Sequence, residues 1–447
     1  ILRQPAGVDA GSSSSTCHHI SSFSNPRLKY SNSPFCPALK NTPLNKHLRV
    51  QLPILIAIRT LMNTAIRMVY PFLPVFGRGL GVDLWLISAT LSLRSGIGIL
   101  GPFLATIADA KGRKTGMLLG LGIYFCGTGC VVIWPAYPGF AAALILTLMG
   151  NLVFLPSMQA YLGDLVVYQK RGLVLGLVEF GWSLSFILGV PAMGFFLARY
   201  GWQAPFPILG ALSLAAILIT AWLVPSKSKT YQPSTSLLSN LRGILAFPPA
   251  LIGLALGVCI NWANEMVNLI LGIWIEDSFQ VKIAALGAAS AVIGLSELGG
   301  ESLVGTLTDR LGKPHSVAIG LILNCTSALL LFLLGQNLYG ALAGLFLFYI
   351  TFEFALVSSI PLMTEVSPTS RATMMALFAS SHALGRALGD ILSPHVYHGR
   401  WLPDGVQGIL AISISVILLN GIGLVALTSL YRLLPAVRIK QVQIKPN

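Results

Sequence analysis

Twelve membrane-spanning helices in two pseudo-symmetric halves of six form the all-α fold that this sequence predicts. Three observations carry it. The first is composition: of 447 residues, 54% are hydrophobic and 10% charged, and the mean hydropathy is +0.76. Soluble domains carry about 25% charged residues, so this chain could not cover a water-facing surface. Its natural unit is an apolar span of about 20 residues. The second is that cations collect on alternate turns. The third is a charged turn made twice, "ADAKGRKTG" at 108–116 and "TDRLGKPHS" at 308–316.

Residues 1–47 stand apart, with nine serines, five Lys or Arg and a single acid, Asp9. That is the composition of a disordered basic tail. It also resembles an organelle transit peptide, although an upstream extension of a bacterial reading frame would look much the same. A bacterial inner membrane is the expected location, and a plastid envelope follows if the tail is a transit peptide.

The spans then come in order. Span 1 (50–76) carries Arg59, Asn63 and Arg67 at intervals of four, one polar stripe extended by Tyr70. Span 2 (84–107) contains Arg94 and "GIGILG". That stretch matches G-x-G-x-x-G but has no strand before it, so its small residues serve close helix approach. Span 3 (115–135) places Cys126 and Cys130 one turn apart as packing residues. Span 4 (138–161) holds Asn151 and is followed by Arg171, and span 5 (172–197) holds Glu179 and "LGVPAMG". Span 6 (204–224) ends at the one long polar interruption, a central loop at 225–248.

The second half repeats this plan. Span 7 (249–275) lines Asn261, Asn264, Glu265 and Asn268 along one side, and span 8 (283–307) holds Glu297 and Glu301. Spans 9 (315–335) and 10 (338–362) follow, the latter with Glu353, and Arg371 stands 200 positions after Arg171. Span 11 (372–397) carries His382, Arg386 and Asp390, and span 12 (406–431) precedes a basic tail at 436–447. The halves are therefore 48–224 and 249–435.

The net charge of +14 is mostly topology. Of 29 Lys and Arg, 21 fall in the two tails and the even-numbered turns, four lie on the opposite side and four lie inside spans. This positive-inside asymmetry places both termini on the cytoplasmic side and removes the case for nucleic acid. Six cysteines show no metal or disulfide spacing, and His395 with His398 lacks further ligands. No cofactor or metal is expected.

In the repeated turn, Asp109 answers to Asp309, Gly112 to Gly312 and Arg113 to Lys313, each 200 apart. Six spans return the chain to its starting side, so the halves are parallel repeats about an axis along the membrane normal. These residues resemble the major facilitator superfamily of secondary transporters, whose turn between spans 2 and 3 reads roughly G-x-x-x-D-R-x-G-R-[RK]. The first copy has Ala105, Asp109, Ala110, Gly112, Arg113 and Lys114; the second has Gly305, Asp309, Arg310, Gly312 and Lys313. Span 5 is similar to the G-P-x-x-G stretch of proton-driven exporters, with Val190 inserted before Pro191. The resemblance covers about 48–435.

The resemblance implies that spans 1, 4, 7 and 10 line a substrate cavity. Arg59, Asn63, Arg67, Asn151, Asn261, Asn264, Glu265 and Glu353 are its candidates. Spans 2, 5, 8 and 11 form the seam, where Arg386 is expected to pair with Asp390, and Arg94 with an acid such as Glu301. Asp109, Gly112, Arg113, Lys114, Asp309, Arg310, Gly312 and Lys313 would form a charged latch, the cations pairing across the halves or with anionic lipid.

Ten ionisable groups stay inside the spans, where each costs on the order of 3 kcal/mol on insertion scales. Proton coupling or buried pairing is expected of Arg94, Glu179, Glu297, Glu301, His382, Arg386 and Asp390. Glu297 and Glu301 stand four apart on one face. Two carboxylates so close do not both ionise unless each faces its own arginine. With no nucleophile–base pair and no G-x-x-x-x-G-K-[ST], an intramembrane enzyme or ATP coupling is disfavoured. The sequence points to a secondary active transporter of a small solute, by alternating access and proton-coupled efflux. An uptake symporter or lipid flippase is the alternative, and a receptor that does not transport ranks lower. The expected partners are an anionic or amphipathic solute, membrane lipid and protons, around a monomer.

Overall fold

The computed structural model describes residues 46–104, 112–166, 168–225, 237–367, 371–399 and 407–443, and every regular element among them is helical. The first half comprises α1 (Lys46–Arg67), α2 (Leu84–Ile97), α3 (Arg113–Ile133), α4 (Tyr137–Leu165), α5 and α6 (Pro205–Leu223). α5 runs as Tyr168–Leu184, a π-helical turn over Ser185–Gly189, and Val190–Tyr200. The second half comprises α7 (Pro248–Phe279), α8 (Ile283–Leu311), α9 (Lys313–Leu334), α10 (Leu338–Val366), α11 (Arg371–Tyr397) and α12 (Gly408–Gln443). Short helices Leu73–Leu80 and Leu237–Leu245 lie in the connections after α1 and after α6. The serine-rich tail expected at 1–47 falls almost wholly outside the described residues.

Ten of these helices are long and apolar enough to cross a membrane by length and composition. The two others, α1 and α11, are long enough but carry the polar stripes Arg59–Asn63–Arg67 and His382–Arg386–Asp390. Around the bundle, apolar side chains face outward, including Leu218 (64% exposed), Leu418 (63%) and Val425 (67%). An apolar exterior around a polar interior is the arrangement a lipid solvent requires.

Span 1 is shorter than its sequence predicts. The helix stops at Arg67 and the chain turns through 68–72 into the helix Leu73–Leu80, because Pro71 and Pro74 lack the N–H groups that would continue it. Span 2 tightens to a 3-10 turn at Gly98–Leu100, within the glycine-rich stretch. In α5 the π turn directly precedes Pro191, whose ring cannot sit against a regular preceding turn.

The internal repeat is visible in the packing. Helix α1 packs on α4, α5 and α6, and α7 packs on α10, α11 and α12. Likewise α3 packs on α4 and α6 as α9 packs on α10 and α12, and α2 on α4 as α8 on α10. The halves meet mainly along α2–α11 and α5–α8, which exchange under the same six-helix shift. The repeated turn matches too. Gly112 and Gly312 precede α3 and α9 with φ of 91° and 85°, a region that favours glycine. Their carbonyls accept from the N–H of Gly116 at 3.0 Å and of Ser316 at 2.9 Å.

Small residues set a close crossing of α3 and α4. A Cβ at Gly120 on α3 would lie 2.6 Å from the Gly150 carbonyl oxygen on α4, and a Cβ at Gly150 would meet the Gly120 oxygen at the same distance. Backbone cannot yield as a side-chain end can. Gly120→Val should therefore destabilise the protein by about 1–3 kcal/mol and lower its thermal midpoint in detergent. Gly122→Val, whose added carbon meets nothing within 4 Å, should leave the midpoint unchanged. Equal effects of the two variants would show that this contact does not limit the packing.

Candidate functional site

The interior charges gather into two clusters on the seam between the halves. The first centres on Arg67, the last residue of α1, set there by the four-residue stripe and the turn that follows. Its guanidinium forms a two-pronged pair with Glu297 of α8, at 2.9 Å (Nη1 to Oε2) and 2.5 Å (Nη2 to Oε1). Nη1 also donates to the Trp182 carbonyl at 3.0 Å. The rings of Trp182 and Phe186 on α5 lie 4.1 and 3.6 Å from the guanidinium carbon. Arg67 and Glu297 are buried, at 4% and 2% exposure. Bidentate, charge-assisted bonding plus cation–π contact offsets their desolvation.

Around this pair the carboxyl groups outnumber the cations. Glu301, one turn along α8, accepts a long bond of 3.5 Å from the Ser183 hydroxyl, and both it and Glu297 act electrostatically on Glu353 of α10. Arg59 holds Glu179 at 2.5 Å, and Glu179 also accepts from Gln159. Asn63 donates to the Gly181 carbonyl and accepts from Asn151 at 3.2 Å, tying α1 to α4 and α5.

The second cluster joins α2, α7 and α11. Arg94 donates to the Ile66 carbonyl at 3.1 Å and to the Tyr70 hydroxyl at 2.8 Å. Glu265 acts electrostatically on both Tyr70 and Asp390. Asn268 donates to Glu265 and accepts from Tyr349. Asp390 accepts from Ser95 at 2.6 Å through Oδ2, its backbone carbonyl accepts from Ser88, and its Oδ1 is buried without a partner. Asn261 bonds back to the Gly257 carbonyl, and Asn264 keeps a buried unpartnered oxygen.

Several sequence expectations change here. Arg386 does not pair with Asp390, because Asp390 is held by Ser95 and Ser88 on α2. Arg94 does not pair with Glu301; it turns along its own half to the end of α1. Of the two neighbouring carboxylates on α8, Glu297 faces its own arginine and Glu301 does not. The cations of the repeated turn are held within their own halves, Arg113 by Asp164 at 3.5 Å and Lys313 by Glu365 at 2.5 Å. Lys114 donates to the Ala221 carbonyl at 2.6 Å, and Arg310 is exposed. Asp109 and the side chain of Asp309 lie outside the described residues, so a superposition of those two carboxylates stays untested.

Sequence reading missed Ser88 and Ser95. They stand seven apart on α2 with Ser92, which donates to the Ala387 carbonyl, and that heptad spacing was a readable stripe. Trp182 and Phe186, four apart on α5, gave a similar signal that the charges overshadowed.

The halves are closed together at one end of the bundle, the end holding the turns after α1 and α7. Gly272 packs against the carbonyl of Pro71, where a Cβ would lie 2.3 Å from its oxygen, and Arg78 pairs with Glu276 at 2.7 Å. Further along the seam, the Glu179 side chain is 44% exposed.

Comparison with known proteins follows the same line. The sequence profile of the Major Facilitator Superfamily matches residues 55–389 and 253–443. An uncharacterized MFS-type transporter of Bacillus subtilis (strain 168), YceJ, is 26% identical over 73% of this chain and 83% of its own length. The multidrug resistance protein MdtG of Klebsiella pneumoniae (strain 342) is 25% identical over 81% of this chain and 89% of its own. Among solved structures, an inward-facing, unoccupied bacterial homolog of the human lysosomal transporter Spinster superposes with a TM-score of 0.67 at 15% identity, over 89% and 98% of the two chains. The peptide transporter POT in complex with sulfate gives 0.67 at 14% identity, over 86% and 94%.

Removing either partner of the Arg67–Glu297 pair strands a buried charge, a loss of about 3–5 kcal/mol. Arg67→Ala and Glu297→Ala should each lower the thermal midpoint strongly, and the double variant by clearly less than their sum. Additive effects would mean that the two side chains do not depend on each other.

Proposed function

Because the chain belongs to the Major Facilitator Superfamily, we propose that it is a secondary active transporter that moves a small solute by alternating access, with proton-coupled efflux as its direction. The observation that carries this reading is the buried, two-pronged Arg67–Glu297 pair, which joins the two halves in the midst of surplus carboxyl groups. A pair so placed acts as a lock. While Glu297 is ionised, it holds α8 to α1 and α5. A proton delivered to Glu297 removes the charge that Arg67 needs, and the halves separate.

Glu301 is the proton's resting place in this scheme. It stands one turn from Glu297, faces no arginine of its own, and meets only a long bond from Ser183. Glu353 is the nearest acid on the facing helix α10 and competes with Glu301 for the proton. The cation-rich turns mark the cytoplasmic face, so the closed end described above is the outer one and the clusters open inward. MdtG, named a multidrug resistance protein, supports outward movement of the solute. The inner turns, with Asp109 and Asp309, are proposed as the latch that stabilises the opposite state.

The test separates coupling from transport in proteoliposomes. Glu301→Gln keeps shape and hydrogen bonding but cannot carry a proton. Exchange of solute by counterflow should survive in this variant, while transport driven uphill by a pH gradient should fall at least tenfold. A residue that only supports packing would lose both activities together. Full gradient-driven transport in Glu301→Gln, in Glu353→Gln and in the double variant would remove these carboxyls from the mechanism.

A further inference from the structure

Four arginines lie inside the membrane helices, and three have partners described above. Arg386 of α11 is the fourth. Among the described residues, no carboxylate lies within ion-pairing distance of it, and Asp390, one turn away, is engaged by Ser95 and Ser88. Depth removes the ordinary escape. Arg386 stands 15 positions after Arg371 and 11 before Tyr397, roughly 22 and 16 Å along the helix axis. Its stem cannot carry the charge to either membrane surface.

Helical register fixes which way it points. On one side, α11 meets α2: Ala383 lies against Gly98, the Ala387 carbonyl accepts from Ser92, and Asp390 accepts from Ser95. On another side it meets α7, with Gly385 against Asn261 and the Val258 carbonyl, and Gly389 against Glu265. His382 and Arg386 occupy the arc between these two faces. The remaining arc carries Leu384, which is 41% exposed to the apolar exterior. His382 and Arg386 therefore border the interior wedge between α2 and α7.

That wedge holds a second polar group that lacks a partner. Nε2 of His382 is buried and unbonded, its ring braced by Phe378 at 4.3 Å between centroids. On α7, Asn261 lies beside Gly385, its amide nitrogen already given to the Gly257 carbonyl. The Arg94–Tyr70–Glu265–Asp390 cluster caps the wedge about one turn nearer the closed end.

We propose that Arg386, with His382, binds the anionic group of the transported solute, a carboxylate, phosphate or sulfonate. Such a group supplies the charge that Arg386 lacks and an acceptor for the imidazole. A planar guanidinium suits two-oxygen anions of this kind. The same chemistry is offered by a soluble anion and by an anionic lipid headgroup. This subsite rests on the transporter reading and narrows its substrates to anions and zwitterions.

The full chain in phosphatidylcholine nanodiscs can be titrated with benzoate, benzenesulfonate and phenylphosphonate, with neutral benzamide as the comparison. A second arm uses nanodiscs containing phosphatidylglycerol. The anions should raise the thermal midpoint and bind measurably, and benzamide should not. Arg386→Gln should weaken anion binding at least tenfold, Arg386→Lys less, and His382→Gln should give an intermediate loss. If Arg386→Gln does not fold, Arg386→Lys and His382→Gln carry the test. A response confined to phosphatidylglycerol keeps the subsite and assigns its anion to lipid. Equal binding by the wild type and the folded variants, equal binding of benzamide and benzoate, or no response in either arm would overturn the proposal. The carboxyl variants separate the two readings: gradient-driven transport persisting in Glu301→Gln, Glu353→Gln and the double variant defeats the coupling scheme, whereas anion binding would still depend on Arg386.

Discussion

A charge inside a membrane must have a partner, and the interior of this protein is organised around meeting that demand. The Arg67–Glu297 pair is the strongest instance. It requires α1 to end where it does, α5 to present the Trp182 carbonyl and two aromatic faces, and α8 to lie against both. A bidentate bond of this kind contributes little net stability after desolvation, but breaking it is costly. That asymmetry suits a contact that must hold one arrangement of two halves and then release it.

The repeat and the charges tell complementary stories. Interactions at the inner turns recur 200 positions apart: Arg113 with Asp164 answers Lys313 with Glu365, and Gly112 answers Gly312. The buried charges do not recur. Within the spans, the first half holds Arg59, Arg67, Arg94 and Glu179, whereas the second holds Glu265, Glu297, Glu301, Glu353, Asp390 and Arg386. One half is thus net positive inside and the other net negative. In the proposed cycle, scaffold symmetry would let the halves rock about one axis, while charge asymmetry draws them together at the seam.

Arg386 is the exception that this rule makes informative. It is the cation in the acidic half, and it stands apart from the Glu179 and Glu297 carboxylates that pair with Arg59 and Arg67. Its position one turn below the Glu265–Asp390 cluster would set a bound anion beside two buried carboxyl groups. Solute and proton would then compete through the same local field, which gives coupling a physical route that needs no distant relay.

The sequence by itself determined the twelve helices and the two-half plan. Each of these depends on a local quantity: apolar length, or a repeated turn whose glycine needs a positive φ. It also identified residues that carry buried charge, because Arg67, Arg94 and Glu297 stand out against apolar neighbours whatever the packing. The tertiary structure decided who meets whom. Spacing along α11 suggested that Arg386 would pair with Asp390, yet Ser95 of α2, nearly 300 positions away in sequence, took that carboxylate. Spacing along α8 treated Glu297 and Glu301 alike, and only the approach of α1 made one a bonded partner and left the other with a single long bond. Partner choice among buried charges depends on crossing distances and side-chain direction between helices, and neither quantity is encoded in the period of any one helix.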